Sequence, residues 1–350
     1  MNRELCEASL LGAKVQVESA APEVFGLLES ELGLFFGLDR TPSAPACGPT
    51  TTLARVTFDV EEVEPPPGSG TPILLHSGSH SYDLRRGWLW DDGTIRIISS
   101  VDTGSLIRMD LAARTAHVTN ASAGRGAEDV RRLVRDMLFL PWLESLGGIV
   151  VHGAAVVDAS GRAVLILGDR GAGKTTLFMA AASAKGVSAL SCERVVVLPT
   201  PDGLRVFACP EKISIFPGTL RSFEATRGLA GDVSSREWER EAKVRVTWPD
   251  LFKALRIHAA NGALLSRVLF PRWSADKSDV TTLSCEEAYF RAEEHVVTSR
   301  DRNRPDWVGW FGPRHSDVTL NALSRLPSHA GTWTDLASAR ALVLDGWGDQ

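Results

Sequence analysis

Residues 168–176 read Gly-Asp-Arg-Gly-Ala-Gly-Lys-Thr-Thr and satisfy the spacing G-x-x-x-x-G-K-[ST]. An apolar run, VLIL, precedes them and an alanine-rich stretch follows, the strand-to-helix setting this motif requires. Glycines there let the backbone curl so that its N–H groups face phosphate oxygens, and a helix N-terminus adds partial positive charge. The spacing assigns Gly168, Asp169, Arg170, Gly171, Ala172, Gly173, Lys174, Thr175 and Thr176 to a nucleotide. Lys174 would reach the β- and γ-phosphates, and the Thr175 hydroxyl would ligate Mg²⁺. Glu193, in LSCERVVV one helix and one strand later, is the nearest carboxylate able to hold Mg²⁺ or take a proton from an attacking hydroxyl. His152, in the strand before the loop, is a core histidine or a site residue. An exposed turn residue is the plain reading of Glu193.

The elements that must position these groups are legible around them. IVVHGAAVV and RAVLILG read as strands joined by a turn at Asp158–Gly161. Residues 175–186 read as a helix ending at Lys185-Gly186, and ALSCERVVVLP as a strand that carries Glu193 at its end. Upstream the chain is β-rich. Val56, Phe58 and Val60 alternate, WLWDDGTIRII turns at Asp92-Gly93, and SLIRMDLAARTAHV suggests a second hairpin. PPPGSGTP (65–72) is a loop. Val130, Leu133, Val134, Met137 and Leu138 are spaced as a helix, with Pro141 near its end. Three regions are expected: 1–145, β-rich with a linking helix; 146–320, nucleotide-binding; and 321–350, a helical tail.

At 350 residues, with 44% hydrophobic and 23% charged content, the chain has room for roughly two domains of ordinary composition. A net charge of −5 without a basic block argues against nucleic acid as partner. No signal-like apolar segment or membrane-length run is present. The five cysteines are scattered and unpaired in sequence, as in a cytoplasmic protein with reduced thiols. No guanine-reading motif accompanies the loop. The apolar run ending at Asp345 is read as a surface turn rather than a Walker-B strand. HSGSH (76–80) has two histidines but no third ligand. Trp88 and Trp90 alternate on a strand and are expected to pack.

Taken together, IVVHGAAVV, GDRGAGKTTL and LSCERVVV resemble the HPr kinase/phosphorylase-like group, strongly over 148–198 and more weakly over about 50–270. The resemblance implies an α/β protein: a β-rich N-terminal region, then a phosphoenolpyruvate-carboxykinase-like P-loop kinase domain. It implies ATP and Mg²⁺ as cofactors, and transfer of the γ-phosphate to a hydroxyl of a small molecule, peptide or protein serine. Lys174 would bind phosphate, Thr175 and Glu193 the metal, and Glu193, oriented by His152, would be the base. Two positions depart from the group. Cys192 stands where the first of an acidic pair is expected, and a thiol is a poor hard-metal ligand or base; Asp169 or Glu211 would have to assist. CPEKISIFPGTLRSF stands in place of the glycine-rich signature segment of true HPr kinases. Among the cations Lys212, Arg221, Lys243 and Arg245, the substrate candidates are Lys243 and Arg245, with Arg194 beside Glu193. The polar stretch 228–246 is expected to be a lid or charged helix. The rival expectation is a nucleotide-binding sensor or scaffold with reduced catalysis. A homo-oligomeric state is left open.

Overall fold

The computed structural model describes residues 3–40, 51–66, 68, 70–76, 85–158, 160–209, 213–231, 243–297, 310–311 and 316–345. The chain divides into two compact units: Met1–Ser145 with Ser299–Arg314, and Leu146–Thr298 with His315–Gln350. Both are mixed α/β.

The first unit is built on nine strands: β1 (Glu4–Leu10), β2 (Ala13–Ser19), β3 (Gly37–Asp39), β4 (Thr51–Val60), β5 (Thr71–His76), β6 (Arg85–Asp91), β7 (Ile95–Ser100), β8 (Leu106–Asp110) and β9 (Thr115–Asn120). Their order is β3-β1-β2-β4-β9-β8-β7-β6-β5. β4 runs parallel to both neighbours and the other pairs are antiparallel. The Asp92-Gly93 turn closes as its residues dictate. Gly93 takes φ +90°, and the Asp92 carboxylate accepts from the N–H groups of Thr94 and Ile95 at 2.8 and 2.7 Å. Helices α1 (Pro22–Leu32) and α2 (Ala123–Arg132) pack together. Beyond α2 the helical pattern does not continue as one α-helix. Residues Leu133–Phe139 form a π-helical stretch, and Pro141 falls inside the short α3 (Leu140–Ser145).

The second unit begins with β10 (Ile149–Val157), β11 (Arg162–Leu167), α4 (Lys174–Ala182), β12 (Ser188–Thr200) and β13 (Gly203–Ala208). The small pair β14 (Ile213–Ile215) and β15 (Val244–Val246) follows, with α5 (Pro217–Ser222) and a 3₁₀ turn, Glu224–Ala230, between its strands; α6 (Trp248–Leu255) comes next. Then come β16 (Gly262–Trp273), β17 (Asp279–Thr282), α7 (Cys285–Glu293), a helix at Ser316–Ser324, β18 (Ser328–Trp333) and a last helix, Leu336–Leu344. The large sheet has the order β11-β10-β12-β13-β16-β18-β17, and β16 also pairs with β11. β16 meets β13 over 262–264, β18 over 268–273 and β11 over 264–269. A strand has two edges, so β13 and β18 share one in succession and β11 takes the other. Five strands therefore close into a ring, from which β18 and β17 extend.

Three expectations change here. The loop helix stops at Ala182 rather than Lys185. The Ser183 hydroxyl donates to Met179 O at 2.7 Å, and a tight turn leads to Gly186 at φ +83°. The residues after 320 are not a helical tail. They supply β18, parallel to β16, and a helix packed on α4, with Arg340 Nε donating to Ala180 O at 3.1 Å. The segment from β11 through α4 to β12, whose strand–helix–strand order reads as a short βαβ-like return, does not place those strands side by side, because β10 lies between them, antiparallel to both. Leu177, Phe178 and Met179 of α4 are fully buried, each stabilising the helix by about 1.5–3 kcal/mol. Among the described residues no helix is long and apolar enough to cross a membrane.

Candidate functional site

β11, β16 and β18 run parallel and bring their C-terminal ends to one edge, where open α/β sheets place their ligands. Ile166, Leu269 and His329 stand level across them. β11 ends one residue later in the glycine loop, while β16 and β18 continue to Trp273 and Trp333 and rise beside it. Pro271 thus lies 3.6 Å from where a Cβ on Gly168 would sit. Trp333 covers Gly173: a Cβ there would meet its ring at 2.3 Å. The Trp333 indole N–H also donates to Ala172 O at 3.4 Å. Gly171 and Gly173 have φ of +90° and +91°, left-handed values that turn the loop into α4. Trp333 was not singled out from sequence. Its only signal is an aromatic residue ending a short, weakly apolar run.

Lys174 opens α4, and its ammonium donates to Gly168 O at 2.6 Å and Asp169 O at 3.1 Å. Burial lowers its pKa, while Glu193 and Cys192 raise it. The Thr175 hydroxyl is 3.6 Å from Cys192 Sγ, and that of Thr176 is 3.4 Å from the Thr219 hydroxyl on α5. Burial, aided by the Glu193 charge, pushes the Cys192 thiol up to about 12, so it is neutral at ordinary pH.

Glu193 is not at a strand end. It lies inside the 13-residue β12, opposite Gly153, with φ of +132°. A non-glycine residue there carries about 1–3 kcal/mol of strain. In a regular strand Cys192 and Glu193 would face opposite sides. With the backbone turned, the Glu193 charge bears on Lys174, and Glu193 Oε2 stands 3.9 Å from His152 Nδ1. The Ser191 hydroxyl donates to Arg194 O at 2.5 Å and closes a local loop around the kink. Gly153 has no room for a side chain, since a Cβ would meet Leu167 Cδ2 at 2.7 Å and Ile166 O at 2.8 Å. Neither the kink nor this role of Gly153 shows in the residue pattern of an apolar strand.

Loop, His152, Cys192 and Glu193 therefore meet at one end of the second unit. Of the cations, Lys243 is sensed by both Lys174 and Cys192 and lies 5.0 Å from the centre of the Phe216 ring. Arg194 is opposite His152 in register, and Arg245 is exposed on β15 opposite Ser214. Asp345 is exposed at the end of the last helix, and its carbonyl accepts from Arg267 at 2.6 Å. Glu211, Lys212, most of 228–246 and the histidine pair of HSGSH lie outside the described residues or side chains. Among the described residues no group of three or more His, Cys, Asp or Glu side chains could hold a metal ion. Mg²⁺ prefers oxygen, needs only one or two protein ligands and completes its shell with phosphate and water. Thr175 and Glu193 offer suitable donors; the neutral Cys192 thiol does not.

No protein-family model matches the chain, and no curated protein does. Among solved structures, an HPr(Ser) kinase/phosphatase from Coxiella burnetii is similar over 38% of this chain and 70% of that chain, at 12% identity and a TM-score of 0.24. A likeness of that size carries no argument about fold or activity. The second unit is described by its own geometry: a mixed α/β unit with a glycine loop at the ends of three parallel strands.

Proposed function

We propose that the second unit is an ATP-dependent phosphotransferase with a phosphoenolpyruvate-carboxykinase-like P-loop domain. It would move the γ-phosphate to a hydroxyl of a small molecule, peptide or protein serine. The observation that carries this reading is the strained turn at Glu193, whose carboxylate lies 3.9 Å from His152 and bears electrostatically on Lys174 of the glycine loop. Residues 168–176 would cradle the phosphates. Lys174 would leave the carbonyls of Gly168 and Asp169 for the β- and γ-oxygens, and Lys243 would add a second positive charge. Glu193 would take the acceptor's proton as its oxygen attacks in line, with His152 orienting the carboxylate. Thr175 and Glu193 would hold Mg²⁺, which supplies charge neutralisation at the phosphates. Arg194 and Arg245 are kept as substrate-side candidates.

The test is Mg-ATP consumption by purified protein with a metabolite and peptide panel, alongside Lys174→Ala. Loss of nucleotide binding and turnover in the variant supports the reading. Equal nucleotide affinity in both proteins sinks it. A second reading, a nucleotide-binding sensor or scaffold with reduced catalysis, is favoured by the neutral thiol beside Thr175. Cys192→Asp separates the two. A large gain in turnover marks a degraded site; no gain, or a loss, places Cys192 in a working arrangement.

A further inference from the structure

A cavity of about 740 Å³ opens at the leading half of the loop, in the size range of small-molecule sites. Its walls include Gly168 and Asp169 from the loop, Arg272 and Trp273 from β16, Arg291 from α7 and His295 just beyond it. Its position relative to the proposed chemistry follows from two contacts. The backbone N–H of His152 donates to His295 O at 2.7 Å, and His152 Nδ1 is 3.9 Å from Glu193. Lys174, at the other side, is bonded to Gly168 O in the cavity wall. The cavity wall is therefore tied to the loop lysine through Gly168 and to the strand of His152 through His295.

The chemistry of the wall is specific. Arg272 and Arg291 are exposed, and neither guanidinium is within ion-pair distance of a described carboxylate. Arg291 instead lies 6.0 Å from the centre of the Phe270 ring. Of the three acids around the cavity, Asp279 is already paired with Lys277 at 3.0 Å, Glu294 is engaged by a neighbour, and the Asp169 charge bears on Lys174. Trp273, 54% exposed, also lines the cavity. Two guanidiniums near aromatic surface suit an anion carried on a compact organic skeleton, because each fork can hold a carboxylate or phosphate by paired N–H bonds.

We propose that this cavity holds the phosphate acceptor, and that the acceptor is a small alcohol carrying an anionic group, carboxylate or phosphate, held by Arg272 and Arg291. This rests on the phosphotransferase reading. With the anion fixed at the arginines, the hydroxyl points to the loop end. Its oxygen forms the new bond to the γ-phosphorus, the bond from that phosphorus to the β,γ-bridging oxygen breaks, the proton passes to Glu193, and ADP leaves.

The test uses the full chain with Mg-ADP and three probes of matched skeleton: glycerate, glycerol 3-phosphate and glycerol. Binding is read as the change in tryptophan fluorescence that is absent from Trp273→Phe. The expected result is saturable binding of one or both anionic probes, none of glycerol, and a loss of at least tenfold in Arg272→Ala/Arg291→Ala with nucleotide affinity unchanged. Glycerate alone or glycerol 3-phosphate alone identifies the anion. Equal binding of glycerol, binding that survives in the double variant, or no binding of either anion while Mg-ADP binds overturns the proposal and leaves the phosphotransferase reading standing. Failure of the wild-type protein to bind Mg-ADP or Mg-ATP overturns that underlying reading, and this proposal with it.

Discussion

The two units treat buried polarity in opposite ways. In the first, polar groups are neutralised locally. The Thr103 hydroxyl is 2.5 Å from the Asp129 carboxylate, which also faces Arg132 at 3.3 Å, and Asn120 donates to Thr103 O and the Ser105 hydroxyl. Arg131 sits between Glu31 and Glu128 at 3.0 and 3.2 Å. These groups are met by local hydrogen bonds and ion pairs, although the buried Arg131 Nε meets Glu31 only as an ion pair. In the second unit Lys174 is desolvated against backbone carbonyls, Cys192 is buried and neutral, and Glu193 is held in a costly backbone conformation. Strain and desolvation gathered at one edge of a sheet mark a place built to receive something.

The sharpest way to break this contrast is Gly173→Val. The substituent adds about 1–3 kcal/mol of left-handed strain and about 1–3 kcal/mol of overpacking against Trp333. Denaturant unfolding should show the second unit destabilised by about 4 kcal/mol, with nucleotide binding abolished. Trp333→Ala added to it should recover only the packing part. Asp129→Ala should cost about 3 kcal/mol by leaving Thr103 and Arg132 without their carboxylate, while turnover per folded molecule stays at the wild-type value. If turnover falls as well, the first unit is not merely a stable scaffold.

Glu193→Gly should do the reverse. Relief of the +132° conformation, less the backbone freedom glycine adds to the unfolded chain, should raise stability by about 1 kcal/mol while phosphate transfer disappears. A less stable variant would mean that the strand, not a ligand, requires glutamate there. The last effect appears only in alkali. A thiol at about 12 when folded and near its ordinary 9.0 when unfolded favours the unfolded state as pH rises. Stability is intact below about 9 and falls from there through about 12. Cys192→Ala should flatten that decline in the second unit. Cys6, pushed by burial to about 11, should cause a similar decline in the first, which Cys192→Ala leaves in place.

The parts legible in sequence are those fixed by local rules. Asp92-Gly93 and Asp158–Gly161 bring their own turn chemistry, and the glycine loop brings its strand and helix. What escaped depends on distant partners. SHAGTW becomes β18 only because β16 extends past β13 and leaves an edge to pair with. Trp333 matters because Gly173, 160 residues earlier, has no side chain. The Glu193 kink arises opposite Gly153, which an apolar run conceals. The π-helical stretch at 133–139 keeps apolar spacing close enough to an α-helix that the two look alike until packed.

The central claim, that Glu193 acts as base for transfer from a nucleotide on this loop, is tested most directly by Glu193→Gln with water as surrogate acceptor. Mg-ATP turnover and nucleotide affinity are measured together. The expected result is turnover reduced at least about 100-fold with affinity within about threefold of wild type, since glutamine keeps the shape and an oxygen donor for Mg²⁺ but not the proton acceptor. Turnover equal to wild type would contradict the claim.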